Sequence, residues 1–201
     1  MTTPIQLPPF SPPLGVFPQF CAPQQTTIVL KEKVWKISGD SFRINDINGA
    51  LVLVCEGHFS VTDRKTFTDV AGHPLFDLRT RPFHLHKTFE AKGAGGQLLF
   101  TVKAKFSIGS TKVSCTFVNT SDGQPVELLV KGDFFHRKAT ITMNDIPVAE
   151  IGRDHFNARQ FFGGKQSYFV SIAPGVDVAL IAALCICWDE KTAEEEIVIA
   201  T

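Results

Sequence analysis

From Thr26 onward, Val, Ile, Phe and Thr alternate with polar residues in short runs, and Gly, Pro, Asn and Asp break the runs. A period of two in β-branched and aromatic residues predicts half-buried β-strands. The clearest unit is SFRINDINGALVLVCEG, 41 to 57, in which Phe42 and Ile44 alternate ahead of Asn48-Gly49. That dipeptide is a signal for a two-residue hairpin loop. A second unit, KTFTDVAGHPLFDLRT at 65 to 80, turns at Ala71-Gly72, and a third, ATITMNDIPVAEIGRD at 139 to 154, turns at Asn144-Asp145. The pattern places strands at 26–34, 41–46, 50–56, 64–70, 74–79, 82–89, 97–106, 112–118, 125–131, 134–143, 146–153 and 166–172. About twelve short strands at regular spacing predict an antiparallel barrel or sandwich.

A barrel of about twelve strands is too wide for its own side chains to fill. One segment can occupy the lumen. VDVALIAALCICWDE, 176 to 190, changes the period from strand to helix after Pro174-Gly175, with Asp177 placed as its N-cap. Residues 178 to 188 are apolar on every face, which suits a membrane span or a protein interior. Eleven residues rise about 16 Å, roughly half the hydrocarbon thickness of a bilayer. Asp177 on one side and Asp189, Glu190 and Lys191 on the other close off extension. Burial inside the barrel is therefore expected.

Seven of the 12 prolines fall in the first 23 residues. Residues 1–21 read as a Pro-rich flexible tail, 22–190 as the folded domain and 191–201 as an acidic C-terminal tail. Pro9-Phe10-Ser11-Pro12 fits a PxxP pattern readable by SH3-type grooves, so a protein partner through this tail is one expectation. MTTPIQLPPF has no basic n-region and no apolar h-region. The expected setting is cytoplasmic, with peripheral membrane and nuclear placements open. Five cysteines, at 21, 55, 115, 185 and 187, make no disulfide scaffold and no zinc site, and are expected as free thiols. In that setting the Asn119-Thr120-Ser121 sequon is not expected to be glycosylated. Lys+Arg and Asp+Glu are 20 each, a net charge of zero. That balance argues against bulk nucleic-acid binding.

Several stretches resemble the plant LURP-one-related family. PQFCAP, 18–23, leads into the first strand. SFRINDINGALVLVCEG resembles that family's first hairpin, with its turn carried by Asp46, Asn48 and Gly49. TDVAGHPLFDLR, 68–79, resembles its second hairpin; LLFTVKAKF, 98–106, and VKGDFFHRKATI, 130–141, resemble two later strands; PGVDVALIAALCICWDE resembles its central helix. Phe100 departs from the family pattern, which has an aromatic hydroxyl there. The resemblance covers residues 18 to 190 and implies an all-β, tubby-like antiparallel β-barrel of about twelve strands enclosing a C-terminal apolar helix. It implies little about activity: the family is linked to plant defence, and its fold relatives include phosphoinositide-binding tubby domains and phospholipid scramblases. A fold carries no function by itself.

The basic residues offer one candidate site. Lys31 and Lys33, Arg79 and Arg81, and Lys103 and Lys105 stand two apart, so each pair shares one strand face. With an apolar lumen that face points outward, where neighbouring strands could assemble a groove for phosphates or an anionic membrane surface. His84 and His86 with Glu90 make a second candidate, because H-x-H-x-x-x-E is the core spacing of the cupin metal motif. Leu78 stands where that motif wants glycine, and no second motif follows. Gly163-Gly164-Lys165 lacks the earlier glycine of a P-loop and reads as a turn. Three classes therefore remain open: a non-enzymatic binding or adaptor protein, a cupin-like metal enzyme, and a scramblase-like membrane protein using 176–190. The first, without a cofactor, is the leading expectation.

Overall fold

A computed structural model describes residues 6–33, 41–58, 63–82, 87–105, 111–133, 138–152 and 167–199. The strands run β1 Thr26–Lys33, β2 Ser41–Asp46, β3 Leu51–His58, β4 Arg64–Thr68, β5 Pro74–Thr80, β6 Thr88–Lys92, β7 Leu98–Lys105, β8 Thr111–Val118, β9 Pro125–Asp133, β10 Lys138–Met143, β11 Ile146–Gly152 and β12 Ser167–Ile172. Each pairs antiparallel with the next, and β1 also pairs with β12, so the sheet closes into a barrel. The strand predicted at 82–89 is the one that moves most. It is β6, Thr88–Lys92, which contains Glu90. His84 and His86 lie outside the described residues, as does the turn expected at Gly163-Gly164-Lys165.

Local chemistry sets the turns. Asp46 Oδ1 accepts the N–H groups of Asn48 and Ala50, both at 2.8 Å, and Gly49 takes φ 87°. The result is a three-residue loop, Ile47 to Gly49, followed by a bulge, rather than the two-residue loop expected at Asn48-Gly49. An Asx turn followed by a left-handed glycine favours the longer form. Asp69 and Gly72 repeat the device: Asp69 Oδ1 accepts from Ala71 and His73. The two-residue loop occurs at Asn144-Asp145, where both residues have positive φ, 49° and 66°.

Alternation sorts the two faces. On β7, Phe100, Val102 and Ala104 are buried while Lys103 and Lys105 are exposed. The inward residues meet helix α1, Val178–Ile199, which runs past the 190 boundary expected from sequence, through much of the segment read as an acidic tail. Every residue from Val178 to Trp188 is buried, with Ala182 and Ala183 at 0% exposure. These residues fill the barrel and are not presented to lipid. No described helix is long and apolar enough to cross a membrane. The helix touches the wall closely at Gly132 of β9, where an added Cβ would sit 2.6 Å from Trp188 Cζ2 and 2.7 Å from Ala139 Cβ.

The segment expected as a flexible tail is packed over residues 6–21. Leu7 and Leu14 are 3% exposed and belong to the same core cluster as the helix. Phe10 N–H donates to Pro174, Leu14 N–H to Gly175, and Asp177 N–H back to Leu14. Phe17 stacks on Phe76, with ring centroids 5.5 Å apart. Prolines lack N–H groups, so a Pro-rich strand can cover a barrel end with few hydrogen-bond partners. The strap is tied down by Asp177. Its Oδ1 caps the helix, accepting from Ala179 (2.9 Å) and Leu180 (3.1 Å). Its Oδ2 accepts from Val16 (3.0 Å) and Phe17 (2.8 Å). Burial pushes the Asp177 carboxyl up to about 6, against the pull of these four N–H groups.

Candidate functional site: the outer basic face

The barrel order separates the residues that the sequence grouped together. Lys31 and Lys33 lie on β1, six strands around the ring from Lys103 and Lys105 on β7. The two pairs therefore belong to opposite sides of the barrel and cannot share a groove. Lys31 is in register with Arg43 and Lys33 with Ser41. Arg79 and Arg81 are nearer: only β6 separates β5 from β7.

The arginines are occupied. Arg64 lies directly opposite Arg79 on the neighbouring strand, and both reach Asp77 Oδ2, at 2.9 and 3.4 Å. Arg81 Nε stands 3.3 Å from Glu90 Oε1, and Lys92 lies 3.7 Å from Glu90 Oε2. Partial burial of Asp77 raises its carboxyl, but the Thr66 hydroxyl and the Arg64 and Arg79 guanidinium groups outweigh it and hold the group below its usual range. Glu90, the carboxylate of the cupin-like candidate, is thus an outward ion-pair partner for basic residues. Among the described residues no group of His, Cys, Asp and Glu could hold a metal ion.

The lysines are arranged differently. Lys105 of β7 lies opposite Lys112 of β8, and Lys112 opposite Lys131 of β9. Three like charges therefore cross three strands in one row, and Lys103, two residues before Lys105, adds a fourth in the next row. Glu127 is the acid at this face. Its Oε1 is 2.6 Å from Lys105 Nζ, a hydrogen bond that draws the Glu127 carboxyl below its ordinary range. Lys103, Lys112 and Lys131 make no ion pair among the described residues. Lys112 and Lys131 were not singled out in the sequence, since neither has a basic residue two positions away within its strand.

One further polar cluster serves the fold. Inward-pointing Lys65 meets Glu190 of α1 at 2.5 Å, and Lys87 reaches the same carboxylate at 3.4 Å. The five cysteines are free thiols. Burial raises each of them, Cys21 to about 11 and the four core thiols further, so none has the depressed pKa of a nucleophile.

The fold defines a closed antiparallel barrel, apolar within and charged without, whose interior holds its own C-terminal helix. The sequence profile described as LURP-one-related matches residues 26–189, and the chain belongs to this family. It is similar to protein LURP-one-related 15 of Arabidopsis thaliana, 28% identical over 188 residues, covering 90% of this chain and 86% of the relative. It is likewise similar to protein LURP-one-related 10 of the same plant, 27% identical over 189 residues, covering 90% and 97%. An X-ray structure of a protein from Arabidopsis thaliana shares the fold, with a TM-score of 0.63 and 24% identity over 88% of this chain and 97% of that one.

Proposed function

We propose that this chain is a non-enzymatic binding protein whose outer barrel face engages anionic phospholipid headgroups. The observation that supports the reading is the exposure of Lys103 and Lys105 on the face turned away from the filled lumen. A basic residue near an anionic membrane contributes about 1 kcal/mol, and salt screens it beyond about 8–10 Å. The contact is then weak, local and salt-sensitive. The arginines contribute less than their number implies, because Arg79 shares Asp77 with Arg64 and Arg81 stands against Glu90.

The test is co-sedimentation with phosphatidylcholine vesicles containing phosphatidylserine, at two salt concentrations. The double variant Lys103→Glu, Lys105→Glu should bind about tenfold more weakly with little change in melting temperature. Equal binding of variant and wild type, or binding indifferent to salt, removes the face from the function.

A further inference from the structure

The register places Lys105, Lys112 and Lys131 side by side in one outward row. Directly opposed residues of antiparallel strands stand about 5 Å apart, and Lys103 lies about 7 Å from Lys105 along β7. Like charges placed directly opposite destabilise a sheet. Here the middle one, Lys112, is only partly exposed and has no acid against it among the described residues. On the neighbouring strands each of Arg64, Arg79, Arg81 and Lys92 stands within ion-pair distance of a carboxylate. Two carboxylates there are shared by four cations and reach each of them, whereas on the lysine side Glu127 reaches Lys105, and Lys103, Lys112 and Lys131 have no carboxylate within ion-pair distance among the described residues.

Lysine is a point charge without the guanidinium fork, so the row reads charge and spacing rather than the orientation of one oxyanion. A singly charged phosphodiester engages one ammonium group and leaves the others repelling. An anion with two or more phosphate groups on one small scaffold spans the grid and neutralises it. We propose that the Lys103, Lys105, Lys112 and Lys131 face is a site for a multiply phosphorylated ligand, with Lys112 at its centre. This rests on the reading of the outer face as anion-binding and narrows the ligand within it.

The informative variant is Lys112→Glu. It puts an acid between two lysines, so it should relieve the repulsion and remove the site together. The expected results are a melting temperature equal to or above wild type, and binding of soluble inositol 1,4,5-trisphosphate weakened at least tenfold by calorimetry. Wild type should bind the trisphosphate at least tenfold more tightly than inorganic phosphate. Arg79→Gln with Arg81→Gln should stay within about twofold of wild type. Two vesicle arms, phosphatidylinositol 4,5-bisphosphate and charge-matched phosphatidylserine in phosphatidylcholine, identify the source. Preference for the bisphosphate vesicles assigns a lipid headgroup, and trisphosphate binding without vesicle binding assigns a soluble phosphate; both uphold the lysine site. Trisphosphate no tighter than inorganic phosphate, or unchanged by Lys112→Glu, overturns it. Should phosphatidylserine vesicles still bind in a salt- and Lys103/Lys105-dependent way, the broader reading survives that failure.

Discussion

Replacing Asp177 by asparagine tests how the strap, the helix and pH are coupled. The carboxylate accepts four backbone N–H groups, two from the strap and two from the helix start. An amide has one oxygen, so whichever way it turns its NH2 faces two backbone donors. Each donor left without an acceptor costs about 1–3 kcal/mol. The amide carries no charge, however, and the buried charge is itself costly. A shift from the ordinary carboxyl value of 3.8 to about 6 corresponds to about 3 kcal/mol. Because the folded value is raised, this stability is fully present below pH 3.8 and is lost as pH rises through 6. The amide does not titrate. The stability advantage of wild type over Asp177→Asn should therefore fall by about 2.4 kcal/mol between pH 4 and pH 7.5, measured by urea unfolding. Carboxyls lowered by their partners, Asp77 and Glu127, act in the opposite sense but equally in both proteins. A difference that stays constant, or grows with pH, refutes the reasoning.

Two other outcomes follow from the packing. Gly132→Ala forces a methyl against Trp188 and Ala139 and should cost about 1–3 kcal/mol. In a thermal-melt cycle, Trp188→Leu should recover part of that loss, and strict additivity of the two changes would refute the contact. A chain beginning at Gln19 loses Leu7 and Leu14 from the core, about 1.5–3 kcal/mol each. Its melting temperature should fall by about 10 °C, and an unchanged value would mean the strap does not belong to the fold.

Period-two alternation made the barrel legible, and an eleven-residue run without a polar face made its contents legible. Each is a local pattern with few packing solutions, and the two together select a barrel around a helix. The strap was not legible, because its prolines exclude regular structure and say nothing about packing; its cue lay in Leu7 and Leu14, spaced apolar residues in a segment that needs few acceptors. The basic site was half legible for a related reason. A pair two apart on one strand shows itself, as Lys103 and Lys105 do. Lys112 and Lys131 meet them only through cross-strand register, which depends on where bulges fall. Likewise Lys31 and Lys33 could be separated from the others only once closure put β1 across the barrel from β7. Asp177 was visible as a cap, but its second pair of donors comes from a segment about 160 residues away.

The filled lumen bears directly on where function can reside. A barrel whose lumen is occupied by its own buried helix from Val178 to Trp188 presents its outer wall and its ends to solvent. The net charge of zero is then an average over unlike surfaces. The hairpin turns at one end carry Asp46, Asp69, Asp122 and Asp145. The Lys105, Lys112 and Lys131 row lies toward the opposite ends of its strands, the end at which α1 runs on through Asp189, Glu190, Glu194, Glu195 and Glu196. Acids therefore stand at both ends, and the lysine row is a local feature of the wall rather than one pole of the molecule. Its field acts only within a Debye length, about 8 Å in physiological salt. It acts on an anion at contact and does not draw the protein from a distance.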